Sequence, residues 1–500
     1  MPIRYPNLLF THMDFTELYG QTGNIVCFSP GAHFILNALE DVLIVRRADT
    51  LQITHTWTIS HPSETTTILS NSKPQSSSNQ CISHAGWSCD SEYIFAASAK
   101  RGIVHVFKLR DEEWDARIET GAEGLTKAEW APDGRHILCF SEWGLRVTIW
   151  SLLTGAATYI QFPIHPDRGA FLECCVSCCD SCTTGYAFRA DARYFILAER
   201  HKSKDTLGIY DASNSYKLVR HFALPTTNLS SIALSPTGNY LAVWEGVLEY
   251  KLHVLSIAGD IQGTFSPNPD PGFGIRNAAW HPSGMFIAVG GWDDKIHILD
   301  SLTWSPVSTL ELSSRIPSGI TLWREPPSWL ESTQGRGFIS YERLKGPQPI
   351  NVHRVDPTKP NPKSGAAQLD WNKTGTLLLV RFENVPMLVH IYDFPAPSEP
   401  FVPRLRCVLQ HQKPILNARW NPVRKGSLVM CCGTQGIYTW SDEWVGEGGD
   451  EEEMAECIGV PTTKKYESRD IRWAPDGNGL VLMDKDTFCC AFEVEDNRDD

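Results

Sequence analysis

The chain has 500 residues, and its 45 Lys and Arg against 58 Asp and Glu give a formal net charge of −13, which offers no broad attraction for phosphate backbones. No run approaches eighteen uninterrupted apolar residues, which argues against a membrane-spanning helix. The 15 cysteines, with no long apolar core in the opening Met1 Pro2 Ile3 Arg4 Tyr5 Pro6, read as reduced intracellular thiols rather than a secreted disulfide framework.

In chain order, one phrase recurs about nine times: an apolar strand ending in a large marker residue, a tight Pro/Gly turn, then a second apolar strand. The markers are Phe28, Trp87, Trp130, Phe188, Leu234, Trp280, Trp371, Trp420 and Trp473. The clearest copy is Ala279 Trp280 His281 Pro282 Ser283 Gly284, and Glu129 Trp130 Ala131 Pro132 Asp133 Gly134 repeats it. Within one unit the pattern predicts four strands: Ile275 to Trp280, Met285 to Val289, Lys295 to Leu299 and Trp304 to Leu310. The unit from Gly124 to Ile160 has the same grammar, with strands at Leu125 to Trp130, Ile137 to Phe140 and Leu145 to Trp150, and a last one after Thr154 Gly155.

Short antiparallel quartets at this period predict an all-β fold, a β-propeller of about nine repeat units whose blades bury their apolar faces against one another. Each marker is expected to pack between blades. The shorter marker spacings, such as Trp87 to Trp130, approach the forty-odd residues of one blade. A single closed ring is favoured because it removes exposed sheet edges; a seven- or eight-bladed ring, or two smaller rings, are alternatives.

The domain reading follows from this. Residues 1–20 supply a ring-closing strand, with the apolar piece Phe15 to Tyr19 pairing against the last unit, whose third strand is Phe488 to Val494. Residues 21–314 hold blades one to six with inserted loops at 61–80 and 163–185. Residues 315–366 form a Pro-rich insertion or a degenerate blade, 367–494 hold the remaining blades with an acidic loop at 446–456, and 495–500 form an acidic tail.

Third strands closing on Ile209 Tyr210 Asp211, Ile298 Leu299 Asp300 and Ile391 Tyr392 Asp393, with His411 ahead of Arg419 Trp420, resemble those of WD-repeat proteins, although most units lack the Gly-His pair and the terminal Trp-Asp. Longer phrases carry a narrower likeness: Leu145 Arg146 Val147 Thr148 Ile149 Trp150 Ser151 Leu152, Leu197 Ala198 Glu199 Arg200, Leu241 Ala242 Val243 Trp244, Leu248 Glu249 Tyr250 Lys251 and Lys485 Asp486 Thr487 Phe488 Cys489. Together these resemble the WRAP-type WD-repeat family, also called WD-repeat protein eight, from about Phe15 to Phe492. The resemblance implies a non-enzymatic scaffold at the spindle pole or centrosome. Such a scaffold binds a coiled-coil anchoring protein, with a minus-end-directed kinesin and gamma-tubulin-associated proteins as further partners, and helps tether microtubule minus ends during mitosis. The runner-up is a translation-initiation-like large propeller that binds the ribosome or initiation factors.

Chemistry-bearing groups are sparse. The 16 histidines are scattered, and no Walker-type phosphate loop or Gly-x-Ser-x-Gly elbow occurs, so no catalytic or cofactor-binding residues are assigned. The cluster Cys174 Cys175 Val176 Ser177 Cys178 Cys179 Asp180 Ser181 Cys182 lacks a matching second half, so it reads as an inserted loop, with no stoichiometric metal expected. The turns between second and third strands, gathered on one propeller face, are the candidate partner-binding positions: Lys100, Arg101, Glu142, Trp143, Arg200, His201, Lys202, Glu245, Trp292, Asp293, Arg381 and Glu383.

Overall fold

The computed structural model describes residues 12–59, 81–164, 185–353, 363–395, 402–445 and 451–494. The expected loop at 61–80, the Cys174–Cys182 cluster and the tail at 495–500 lie outside them. The recurring phrase folds as a hairpin extended into a four-stranded antiparallel sheet. In the third unit Lys127–Trp130 pairs with His136–Phe140, that strand with Arg146–Ser151, and that in turn with Ala157–Gln161. With the strands of each blade lettered a to d from the centre outward, nine blades are present among the described residues. Their a strands are Val26–Phe28, His84–Trp87, Lys127–Trp130, Tyr186–Phe188, Leu229–Leu234, Ile275–Trp280, Ala366–Trp371, Asn417–Trp420 and Asp470–Trp473.

The b strands explain why the ring forms. They read as solid apolar runs rather than alternating ones because both faces are buried. In blade 3, Leu138 and Phe140 pack toward blade 4, while Ile137 and Cys139 pack toward blade 2. In blade 6, Ile287 and Val289 join blade 5, and Ala288 joins blade 7. Buried side chains of the described residues sort into nine clusters, one at each junction, including one that packs Ala474, Val481 and Met483 of blade 9 on Val26, Phe28 and Ile35 of blade 1. The array is therefore one closed ring. Closure is also covalently staggered: blade 9 takes its d strand from His12–Phe15, paired from His12 opposite Val494 to Phe15 opposite Ala491.

The markers sit at these junctions with a common polar contact. The Trp130 indole N–H donates to the Gly86 carbonyl at 3.0 Å, Trp280 to Ala233 at 3.1 Å, Trp371 to Ala279 at 3.2 Å, Trp420 to Asp370 at 3.1 Å and Trp473 to Arg419 at 3.2 Å. Each acceptor immediately precedes the marker of the preceding blade. Trp87 is also buried, but its indole N–H has no partner among the described residues. The turn has its own rule in eight of the nine units, where the fourth residue after the marker takes a positive φ: Gly134, Gly238, Gly284, Gly375 and Gly477 do so, and Ala32, Ser91 and Ala192 adopt the same conformation without being glycine, whereas Arg424 after Trp420 does not.

Among the described residues, the Pro-rich stretch forms no blade of its own. Thr321–Arg324 adds parallel to Arg404–Gln410, the d strand of blade 7, and Glu342–Lys345 adds outside it; Phe338–Ser340 extends blade 8. Buried Glu325 pins this insertion at the junction, accepting from the Trp329 indole at 2.7 Å, the Tyr438 hydroxyl at 2.8 Å and the Gln412 amide at 2.7 Å. The acidic stretch at 446–456, expected as a loop, is strand from Glu451, the start of the blade 8 d strand Glu451–Gly459. Within it, Glu453 pairs with Arg406 at 2.5 Å, and Arg406 also meets Asp393 and Asp442. The cation neutralises a like-charged cluster that would otherwise stay in water. The one α-helix described, Trp329–Ser332, is far too short to cross a membrane.

Two predictions test this packing. Trp371→Phe keeps the ring but removes the indole donor to the Ala279 carbonyl, so it should cost about 1 kcal/mol in urea unfolding, whereas Trp87→Phe should cost clearly less; equal losses would contradict the shared indole contact. Glu456 is buried with one carboxylate oxygen unpartnered among the described residues, and burial pushes its carboxyl up to about 7. The fold thus binds this proton more tightly than the unfolded chain, and the group's contribution to stability falls as pH rises from the ordinary carboxylate range through 7. Glu456→Gln should stabilise the protein by about 2–3 kcal/mol at pH 8 and by less than about 1 kcal/mol at pH 5. Unfolding curves at both pH values give the comparison, and a gain independent of pH would count against it.

Candidate partner-binding face

Because every blade is an antiparallel meander, the b–c turns emerge on one face of the ring, together with the d–a connections that lead into the next blade. The a–b and c–d turns lie on the other face. The connections touch the b–c turns directly: the Glu142 amide donates to the Glu123 carbonyl at 3.1 Å, and the Gly274 amide to Val247 at 2.8 Å.

The sequence-predicted residues divide by what they do there. Trp143 is 90% exposed at φ 59°, held out by a turn beside exposed Glu142. Lys100 is exposed and Arg101 half-buried on the short 3-10 turn Ala99–Arg101. Lys202 is exposed at the tip of the blade 4 b–c hairpin, while Arg200 beside it is held at 2.8 Å from the buried carboxylate of Asp205. Half-buried His201 faces Glu199 at 2.9 Å.

Trp292 is half-buried, with the Arg276 guanidinium 4.7 Å above its ring and Phe273 at 6.4 Å between ring centres. Arg276 pairs with Glu383 at 2.9 Å and donates to the Ser364 carbonyl at 2.6 Å, so Trp292 and Glu383 tie blade 6 to blade 7. Asp293 has one carboxylate oxygen buried without a partner among the described residues, and burial raises its carboxyl above the usual range.

Two positions are not surface groups in the sense expected. Glu245 is 3% exposed and accepts from the Thr227 amide at 3.0 Å and the Asn228 amide at 3.1 Å, holding the connection from blade 4. Arg381 reaches across to blade 8, donating to the Ile415 and Leu416 carbonyls and to Gln368 at 3.0 Å. The d–a connections pass over both side chains and supply the partners that solvent would otherwise provide.

Sequence reading missed most of the apolar surface on this face. Leu145 and Phe162 lie side by side, the Phe162 amide donating to the Leu145 carbonyl at 2.9 Å, next to Trp143. Val247, 84% exposed Leu248 and Phe273 form a second patch continuous with Trp292. The signal for the second was present as two aliphatic residues inside the turn Gly246 Val247 Leu248 Glu249, where polar residues are usual. Charges around the patches alternate in sign, with Glu123, Glu142, Glu249 and Asp293 among Lys100, Arg101 and Lys202.

Trp143→Ala should leave stability within about 0.5 kcal/mol of the parent, since its side chain packs on little, whereas Glu245→Ala should cost about 1–2 kcal/mol by removing the buried carboxylate that holds the Thr227 and Asn228 amides. Thermal unfolding of the two variants distinguishes a display residue from a strut; comparable losses would refute that division.

Comparison with known proteins finds similarity to WD-repeat proteins. The family described as WD domain, G-beta repeat matches residues 251–300, which run from the last two strands of blade 5 through the first three of blade 6. The chain is 29% identical over 498 residues to the mouse (Mus musculus) WD repeat-containing protein WRAP73, covering 96% of each chain. It is 21% identical over 508 residues to an uncharacterized WD repeat-containing protein of Schizosaccharomyces pombe, covering 97% of this chain and 93% of that one. Among solved structures, the C-terminal WD40 domain of Sif2 aligns over 91% of this chain and 98% of its own, with TM-score 0.46 and 10% identity. Kluyveromyces lactis Hsv2 aligns over 77% of this chain and 97% of its own, with TM-score 0.39 and 10% identity.

Proposed function

We propose that this WD-repeat propeller, consistent along nearly its whole length with the WRAP-type family, is a non-enzymatic scaffold of the spindle pole or centrosome. It grips a coiled-coil anchoring protein on the b–c face and helps tether microtubule minus ends during spindle assembly, with a minus-end-directed kinesin and gamma-tubulin-associated proteins as further members of the assembly. The observation that carries the binding role is the pair of exposed apolar patches on one face, Trp143, Leu145 and Phe162, and then Val247, Leu248, Phe273 and Trp292. An amphipathic helix offers apolar side chains at helical spacing to such patches, and the rim of mixed charges fixes its register. On the opposite face the exposed apolar side chains are sparser, at Leu153, Met285, Leu302, Val402 and Val423.

The rival reading, a ribosome-binding ring, calls for a continuous basic face and steep salt dependence. The acidic residues interleaved on the b–c face favour the scaffold instead. The test is a tagged chain in dividing cells, imaged and then affinity-purified. Discrete spots at spindle poles and a co-purifying coiled-coil protein are expected, with capture falling at least about tenfold in a Trp143→Ala, Leu248→Ala variant of unchanged stability. Diffuse, ribosome-like cytoplasmic signal, or capture indifferent to both substitutions, would overturn the proposal.

A further inference from the structure

Blade 4 carries a cluster that the scaffold role leaves unused. Its b strand, Tyr194–His201, and c strand, Lys204–Asp211, are longer than most of their counterparts and continue in register to His201 opposite Lys204, so the hairpin stands above the b–c face. Residues two apart on a strand share a face, and directly paired residues share it too. Glu199 and His201 therefore lie on the same side as Gly208 and Tyr210 of the c strand and His221 of the d strand, Lys217–Ala223.

On that side three donor atoms converge. The Glu199 carboxylate oxygen Oε2 is 2.9 Å from Nε2 of His201 and 3.3 Å from Nε2 of His221. One ligand atom from each residue lies within 4.8 Å of the others. Glu199 is 3% exposed, while the two imidazoles are open to solvent by more than a third, so the cluster is anchored at its base and accessible from outside. The other carboxylate oxygen, Oε1, accepts the Tyr210 hydroxyl, which fixes the orientation of the carboxylate.

Gly208 supplies an independent indication. Its φ lies outside the left-handed region, so the backbone does not require glycine, and a glycine inside a strand weakens it. A Cβ there would run into Glu199 Oε1 and the Tyr210 ring. The missing side chain opens the gap through which Glu199, on the b strand, reaches past the c strand to His221 on the d strand. The strand gives up packing to let a buried carboxylate meet two imidazoles.

We propose that Glu199, His201 and His221 form a binding site for one divalent transition ion of the zinc type. Two imidazole nitrogens and one carboxylate oxygen make up the ligand set, solvent fills the remaining position, and Tyr210 holds the carboxylate from behind. The ligand spacings suit a small ion, and imidazole favours zinc-like ions over magnesium or calcium. A bound ion clamps the projecting hairpin, and with it Lys202, to the outer edge of the blade. The ligand set contains no thiolate, unlike the Cys174–Cys182 cluster considered in the sequence.

The test uses the full chain, stripped with chelator under reducing conditions and titrated with Zn²⁺ by calorimetry and with Co²⁺ by absorption. Saturable binding of one ion is expected that disappears in a His201→Gln, His221→Gln variant, with cobalt ligand-field bands that lack thiolate charge transfer and vanish with the same substitutions. Tyr210→Phe should weaken binding about 10-fold or more without removing it. Added Zn²⁺ should raise the unfolding temperature of the parent but not of the variant. If the double variant fails to fold, His221→Gln alone, near the outer edge of the blade, carries the comparison. Absence of saturable binding to the parent, or equal binding by parent and histidine variants, would overturn the assignment.

Discussion

The burial of the second strand of each blade on both faces is the constraint on which the rest of the molecule depends. A four-stranded sheet with one oily face could stand against a single partner layer. These sheets have two, and residues such as Phe195 and Leu197 pack one way while Ile196 and Ala198 pack the other. No blade can satisfy both faces alone, so each takes half its core from either neighbour, and an end blade would leave one face in water. Nine junctions and a final strand borrowed from His12–Phe15 remove that open end. At five of the junctions an indole-to-carbonyl contact ties one blade to the blade before it.

That rigidity is what gives the b–c face its character. The turns are short and hold their shape through struts that reach between blades. Glu245 holds the connection from blade 4, Asp294 accepts the Gly365 amide at 2.7 Å and the Asn384 side chain at 2.6 Å, and Arg381 reaches the carbonyls ahead of blade 8. With polar groups engaged in this way, apolar residues in the same turns are left pointing outward. Trp143 and Leu248 are exposed for this reason, and they are displayed on a frame whose ordering cost was met when the ring folded. The projecting blade 4 hairpin is the exception, being longer and stabilised along its outer edge by the Glu199 group.

Much of the fold was legible in the sequence because it rests on local rules. The strand–turn–strand phrase fixed the hairpins, and in blade 6 the read strands Ile275 to Trp280 and Lys295 to Leu299 match the observed Ile275–Trp280 and Lys295–Asp300 closely. What was not legible depends on pairing between distant segments. Nothing local in Thr321–Arg324 announces that it will lie parallel to Arg404–Gln410, and the acidic run around Glu451 becomes strand only because Arg406 and an existing edge meet it. The same limit governs the site. Arg381 and Glu245 read as surface charges since they sit at turns, yet the connections crossing them come from elsewhere in the chain. The Glu199, His201 and His221 group escaped because strand register, not spacing, brings His221 to the other two.

Hydrogen exchange of the free chain, followed by mass spectrometry, tests the central claim most directly. If every second strand is a core shared by two blades in a closed ring, the amides of all nine b strands should exchange last and at one common rate, as a single cooperative unit. A blade whose b strand opens early and independently of its neighbours would contradict that account.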